Sequence, residues 1–285
     1  MGRRFYADVH RMANKNRKRK NDENYHIYTV DGENFGKACR ITDIPAEAGD
    51  ELYVDTIPVE LTDEFIELLR RGVRVFYLRR MMVMAKKREE LGLSKTARND
   101  IRAIMHIDSR WFFEVDENYL VIRRLAVVFR SLQRTYLSYL NRAKALPDAE
   151  RRLLIEVANA AEKSMMETAS LIVSEAEKRY PNFKKVVEEL GITGENHLLA
   201  REALAEIMAY VVRTRSYSRL KALFGLYKGR KGVNKFYSKT ARKAMIRLTS
   251  AVLHNPKHRA RDEEQLLKRI WKTLKDTRKR LEAPA

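Results

Sequence analysis

Asp31, Asp55 and Asp100 are the residues whose type and placement best fit phosphate chemistry. Asp31 follows the β-branched and aromatic run Tyr25–Val30, Asp55 closes Leu52-Tyr53-Val54, and Asp100 opens a helical stretch after a further extended run. Carboxylates from the strand ends of a parallel sheet gather at one edge, where such sheets bind ligands. Together they offer hard oxygen ligands to Mg²⁺. Two such ions about 4 Å apart activate a nucleophile and stabilise a leaving oxygen on phosphate. His106, Asp108, Glu114 and Asp116 form a sparser set, open equally to a polar-loop reading. Trp111-Phe112-Phe113 reads as a core plug or as a base-stacking surface. The chain carries no Walker loop, dinucleotide fingerprint or serine-hydrolase elbow.

A second feature is electrostatic. From Ile207 to Arg261 there are fifteen Lys or Arg residues and no Asp or Glu. Like charges at that density repel one another in a compact state. A polyanion relieves the repulsion, and phosphates release counterions when Lys and Arg replace them. Tyr210, Tyr217, Leu220, Phe224, Tyr227 and Phe236 are interleaved with the charges, so the segment is expected to fold rather than trail as a solvated tail. Arg213, Arg215, Arg219, Lys221, Lys228, Arg230, Lys231 and Lys235 are the candidate phosphate ligands. A solvated helix face on a generally basic protein is the competing reading.

The elements that must position these groups follow from period and punctuation. Of 285 residues, 45% are hydrophobic and 34% charged, with a net charge of +20. The last 85 residues hold 23 basic and 7 acidic residues, so +16 of that charge sits at one end. Cys39 is the single cysteine, which excludes an internal disulfide framework and favours a reducing compartment. No run approaches the roughly 18 apolar residues of a membrane span, and the N-terminus has no apolar leader core, so a cytoplasmic, nucleoid-associated protein is expected.

Residues 1–24 read as a basic arm around Arg17-Lys18-Arg19-Lys20. Strands are expected at Tyr25–Val30, Lys37–Ile41, Glu51–Asp55 and Val73–Leu78, with a helix over Thr62–Arg71 between the last two. That series implies a parallel α/β layer. Two helices flank a turn at Gly92, the second starting at Ser94 or Thr96. From Tyr119 to Arg179 there is no glycine and Pro147 is the only proline, which implies two long helices hinged there, an antiparallel hairpin or coiled coil. Residues 182–285 read as further helices. Leu190-Gly191-Ile192-Thr193-Gly194 is weakly like a helix-hairpin-helix turn that exposes N–H groups to phosphate. The fold class is therefore α+β, mostly helical, in four parts: 1–24, 25–118, 119–182 and 183–285.

The segment Lys95-Thr96-Ala97-Arg98-Asn99-Asp100-Ile101 resembles the region carrying the third and fourth acidic residues of the DEDD-type insertion-sequence transposases, the bridge-RNA-guided recombinases and pilin-gene invertases. Val30-Asp31 is similar to that family's first RuvC-like (RNase H-like) strand and its Asp. Leu52–Thr56 is similar to the second acidic strand, and Leu68–Val75 to the helix and strand that follow. Leu204–Ile207, Leu220–Leu226, Ser238-Lys239-Thr240 and His254-Asn255-Pro256 recur in the family's order, so the likeness covers most of residues 25–275.

The resemblance implies Mg²⁺-dependent phosphoryl transfer on DNA by a homodimer or homotetramer, guided by a structured RNA in some members. Asp31, Asp55 and Asp100 would then hold metal. Three departures count against activity. Ala97 stands at an acidic position, Asp55 stands where the family has Glu, and no serine lies between Leu226 and Tyr237, where the family's nucleophile would be. Ser238 is the nearest hydroxyl, although it matches a different family serine; Ser216 and Ser218 are weaker candidates. The alternative is a transposase-derived protein that binds nucleic acid without catalysis, in packaging, segregation or regulation. A metal-dependent nuclease without strand transfer is a third option.

Overall fold

The computed structural model describes residues 2–10, 25–214, 216–226 and 237–282. It is mostly helical and contains one six-stranded mixed sheet. The chain divides into two compact units, Met1–Leu120 and Val121–Ala285.

In the first unit the strands are β1 (Arg4–Asp8), β2 (His26–Thr29), β3 (Gly36–Ala38), β4 (Glu51–Val54), β5 (Arg74–Leu78) and β6 (Phe112–Glu114). Their order across the sheet is β3-β2-β1-β4-β5-β6. β1 pairs antiparallel with β2 and parallel with β4; β4 pairs parallel with β5, and β6 closes the edge antiparallel to β5. The parallel layer expected from the sequence is present.

The start of the arm is different from its expected form: residues 4–8 are a central strand. Phe5 and Ala7 alternate into one face and are buried, while Arg3 and Arg4 stay at the exposed end and pair with Asp50 and Glu51. Local charge concealed a period-2 pattern whose burial depends on pairing with distant β4. Residues 11–24 lie outside the described residues.

Helices cover both faces. α1 (Thr62–Arg70) joins β4 to β5 on the face of Phe5, Ala7, Leu52 and Val75. On the other face lie α2 (Met81–Glu90) and α3 (Ala97–Met105), with Met84, Ala103 and Ile104 packed against Tyr53, Leu78 and Phe112. Tyr6, Tyr53 and Phe76 stack side by side across the strands beneath them. Phe112 plugs this cluster from β6, so the aromatic run is a strand as well as a plug. Thr96 starts α3, its Oγ accepting the Asn99 N–H at 3.3 Å.

α4 (Glu117–Ala143) leads into the second unit and α5 (Asp148–Arg179) returns after a break at Pro147, as the sequence implies. The second unit continues with α6 (Phe183–Leu190), α7 (Leu198–Val211), α8 (Tyr217–Leu223), α9 (Lys239–Leu253) and α10 (Ala260–Glu282). α7 is buried almost all round and forms the centre, packed on α5 and α9. Gly191 ends α6 in the left-handed conformation. Gly225 does the same after α8, where a Cβ would meet the Tyr237 ring at 2.8 Å, so the turn needs glycine twice over.

Candidate functional site

The carboxylates that meet are Asp8, Asp55 and Asp100. Strand register accounts for the first two. Ala7 pairs with Val54, so Asp8 and the residue after β4, Asp55, are neighbours across one parallel strand pair. Tyr6 and Tyr53 point to the α2–α3 face, and alternation puts Asp8 and Asp55 on that face too. Asp100 comes from the first turn of α3, which crosses β1 and β2. All three are buried, at 7%, 6% and 8% exposure.

Burial sets their electrostatics. The Asp55 carboxyl is pushed up from 3.8 to about 7, by burial first and by the charge of Asp8 second. The backbone N–H groups of Val9 (3.2 Å) and Thr56 oppose that rise without cancelling it. Asp100 is also raised, again by burial first, with Arg88 pulling it down and Asp8 pushing it up. Both shifts name Asp8, which couples the three groups into one anionic cluster.

Two basic side chains reach the cluster. His10 Nε2 lies 3.2 Å from Asp8 Oδ2. Arg88, from α2, sets Nη1 2.7 Å from Asp100 Oδ1, with only 14% and 12% of the two side chains exposed. These two atoms are within ion-pair distance but off hydrogen-bond geometry, and neither has another hydrogen-bond partner. His26 sits behind His10. Burial, reinforced by His10, lowers its pKa to about 4, so it is neutral and accepts the His10 backbone N–H at 3.3 Å.

The donor set is all oxygen, which suits Mg²⁺. Among the described residues, however, no three carboxylate, imidazole or thiol groups are arranged to enclose a metal ion. Asp8 and Asp55 are adjacent, whereas Asp100 is turned to Arg88. Ala97 lies one helical turn before Asp100 on the same face of α3, where a further carboxylate would have to stand.

Asp31 does not join this cluster. β2 runs antiparallel to β1, with Asp8 opposite Ile27 and Tyr6 opposite Thr29, so Asp31 lies towards the end of the sheet where β1 begins. There it organises the β2–β3 turn. One carboxylate oxygen accepts the Glu33 and Asn34 N–H groups at 2.9 Å each, and the other accepts Asn34 Nδ2 at 2.8 Å. These bonds, with Asn34 foremost, hold its carboxyl well below the usual range. Asp8, absent from the sequence-derived set, takes its place. The alternation Phe5-x-Ala7-x-Val9 around it was the available signal.

Ser238 caps α9: its Oγ accepts the Ala241 N–H at 3.2 Å. Among the candidate phosphate ligands, Arg219 is exposed, Arg213 is half-buried, and Lys221 pairs with Glu264 at 2.5 Å beside the Tyr217 ring. Arg215, Lys228, Arg230, Lys231 and Lys235 lie outside the described residues.

The acid-free segment is also partly neutralised in space. Arg247 binds Glu202 at 2.8 Å and Glu206 at 3.2 Å, and Arg242 pairs with Glu263. These carboxylates come from just outside the segment. Exposed cations persist at Lys239, Lys243, Lys257, Arg259 and Arg261. Among the described residues no helix is long and apolar enough to cross a membrane.

No family model matches this chain, and no curated protein matches it.

Proposed function

We propose that this protein is a DNA recombinase of the insertion-sequence transposase kind, with a RuvC-like (RNase H-like) first unit and a second unit that holds DNA. The observation that carries the reading is the adjacency of Asp8 and Asp55 at the ends of neighbouring parallel strands, with Asp100 above them on α3. Sheet order supports it: an antiparallel β3-β2-β1 meander continues into parallel β4 and β5, with acids after β1 and β4. Such a site suits an ion that polarises a phosphate. Asp8 and Asp55 would hold Mg²⁺, and its chemistry when bound would be to activate an attacking oxygen. The chain's own part is to fix the carboxylates and exclude water.

The exposed cations of α9 and its following turn would contact phosphate, and a structured RNA is a further partner of the same charge. Val128, Leu137, Leu153 and Val157 are exposed apolar positions on α4 and α5. In this reading they pair two copies through a coiled coil, as a homodimer or homotetramer at the nucleoid.

A second reading has specific support. Arg88 occupies Asp100, Ala97 supplies no carboxylate, and Ser238 is committed to a helix cap. Together these favour a nucleic-acid-binding protein without strand chemistry. Incubation with supercoiled DNA, with and without Mg²⁺ and cellular RNA, separates the two. Nicking that needs Mg²⁺ and disappears in Asp8→Ala and Asp100→Ala supports the recombinase. Salt-sensitive retention with no nicking under any condition supports the binding protein. Retention indifferent to salt between about 50 and 200 mM removes both, because phosphate contacts lose affinity steeply over that range.

A further inference from the structure

Arg88 is the one arginine that reaches the acidic cluster among the described residues, and it does so from a separate helix. Its guanidinium is largely buried, 2.7 Å from Asp100 Oδ1, yet the pair is off hydrogen-bond geometry. A structural ion pair of an arginine usually finds a bidentate, well-aligned fit. This one satisfies charge without satisfying direction. Lys95 provides an internal reference: it also acts electrostatically on Asp100, but it is exposed and does not contact it. Of the other two carboxylates, Asp8 faces His10 and Asp55 pairs with no Lys or Arg among the described residues. A buried charge without a partner is costly, and a divalent cation is the partner that all-oxygen ligands favour.

We propose that Arg88 is a tethered counter-ion that competes with a divalent cation for Asp100. With Arg88 seated, the cation is held by Asp8 and Asp55 alone; when Arg88 withdraws, Asp100 joins them. The inference rests on the reading of this cluster as a divalent-cation site. Its physical content is that a fixed positive charge within contact distance of a ligand both blocks that ligand and repels the ion. α2 carries no buried residue besides Met84, so the helix that bears Arg88 is weakly anchored and its departure is inexpensive. The surroundings of Asp100 thus encode a switch between a closed, low-affinity site and an open, three-carboxylate one.

The test is a titration of the full chain with Mn²⁺, read by electron paramagnetic resonance of the free ion and by thermal unfolding with and without Mn²⁺. Arg88→Gln is expected to bind Mn²⁺ at least about tenfold more tightly than the parent, since it removes a contact charge in a low-dielectric site. Lys95→Gln, which removes an exposed charge, is expected to change affinity by no more than about twofold. In an Asp100→Asn background, Arg88→Gln should confer no gain, because the effect acts through that carboxylate. Arg88→Gln should also unfold at lower temperature than the parent without Mn²⁺ and recover with it.

Equal affinity of Arg88→Gln and the parent, or a gain that persists without the Asp100 carboxylate, overturns the proposal while leaving the metal site intact. If Asp8→Asn binds Mn²⁺ as well as the parent, or no form binds it, the metal-site reading falls and the inference falls with it. Should Arg88→Gln not fold, Arg88→Lys carries the comparison. Its charge sits on a stem too short to hold the same contact, and affinity equal to the parent overturns the proposal.

Discussion

In the first unit, three buried carboxylates face one arginine and one histidine; in the second, two buried glutamates face two arginines. Glu202 and Glu206 lie on the central helix α7, at 0% and 4% exposure. Arg247 binds both oxygens of Glu202, at 2.9 and 2.8 Å, and reaches Glu206 as well, while Arg130 pairs with Glu206 from α4. The Arg247 guanidinium also lies 5.3 Å from the Phe129 ring centre. Burial raises the Glu202 carboxyl and Arg247 opposes it, so the network answers its own desolvation. The first unit has no such answer at Asp55. One cluster is closed and ties helices together; the other is left short of positive charge at the edge of a sheet. Buried acids alone do not distinguish a structural network from a site. What distinguishes them is whether the chain supplies the cations.

The strongest way to break this comparison is at Arg247. Arg247→Ala leaves Glu202 and Glu206 buried with one arginine between them, and the expected loss is about 3 to 5 kcal/mol of unfolding free energy, read by urea denaturation. A second substitution, Glu202→Leu, should restore much of it, because a buried pair replaced by apolar groups is often near neutral. Failure of the double variant to recover would mean that the network stabilises beyond charge compensation.

At Asp55 the expected sign is the reverse. Its folded pKa of about 7 lies above the ordinary 3.8, so between those values the folded chain binds more protons than the unfolded one. Stability therefore falls as pH rises from about 4 to about 7 and stays lowered above that. Asp55→Asn removes this penalty. Its advantage over the parent should be absent below about pH 4 and should reach at most about 4 kcal/mol above pH 7. Saturating Mn²⁺ should flatten the parent's slope, because a bound cation favours the ionised carboxyl. A parent whose stability rises through this window would show that Asp55 is not a strained acid.

The sequence made the closed cluster hard to see and the open one half visible. The strands at 26–29, 51–54 and 74–78, the helices flanking Gly92 and the break at Pro147 are local events, written in β-branched runs, caps and breakers. β1 is not local. It has five residues with Arg3 and Arg4 at its head, and its burial comes from pairing with β4 and β2. Counting charge over the first twenty residues hid it, so Asp31 stood in for Asp8. β6 was hidden for a similar reason, as a three-residue strand inside an aromatic run. The acid-free stretch shows the opposite error. Charge counted along the chain takes no account of acids just outside the window, and Glu202, Glu206, Glu263 and Glu264 fold back onto Arg247, Arg242 and Lys221.

The smallest effect concerns Ser238, where the second unit again uses a polar group for itself. Its Oγ accepts the Ala241 N–H, and its own N–H donates to Leu223 O at 2.8 Å, tying the start of α9 to the end of α8. Ser238→Ala removes the cap and should cost about 1 kcal/mol, whereas Ser238→Asp keeps an acceptor at the same place and should cost only a few tenths. The pair separates two roles that alanine alone would confuse. A cap is restored by aspartate. An attacking hydroxyl is not, because a carboxylate beside phosphate repels it and offers no alkoxide. Measured by thermal unfolding and by DNA joining in parallel, a protein in which aspartate rescues stability and leaves joining unchanged has its nucleophile elsewhere or has none. One in which aspartate rescues stability but abolishes joining makes Ser238 both cap and nucleophile, and in that outcome the second unit, like the first, holds back a polar group for chemistry.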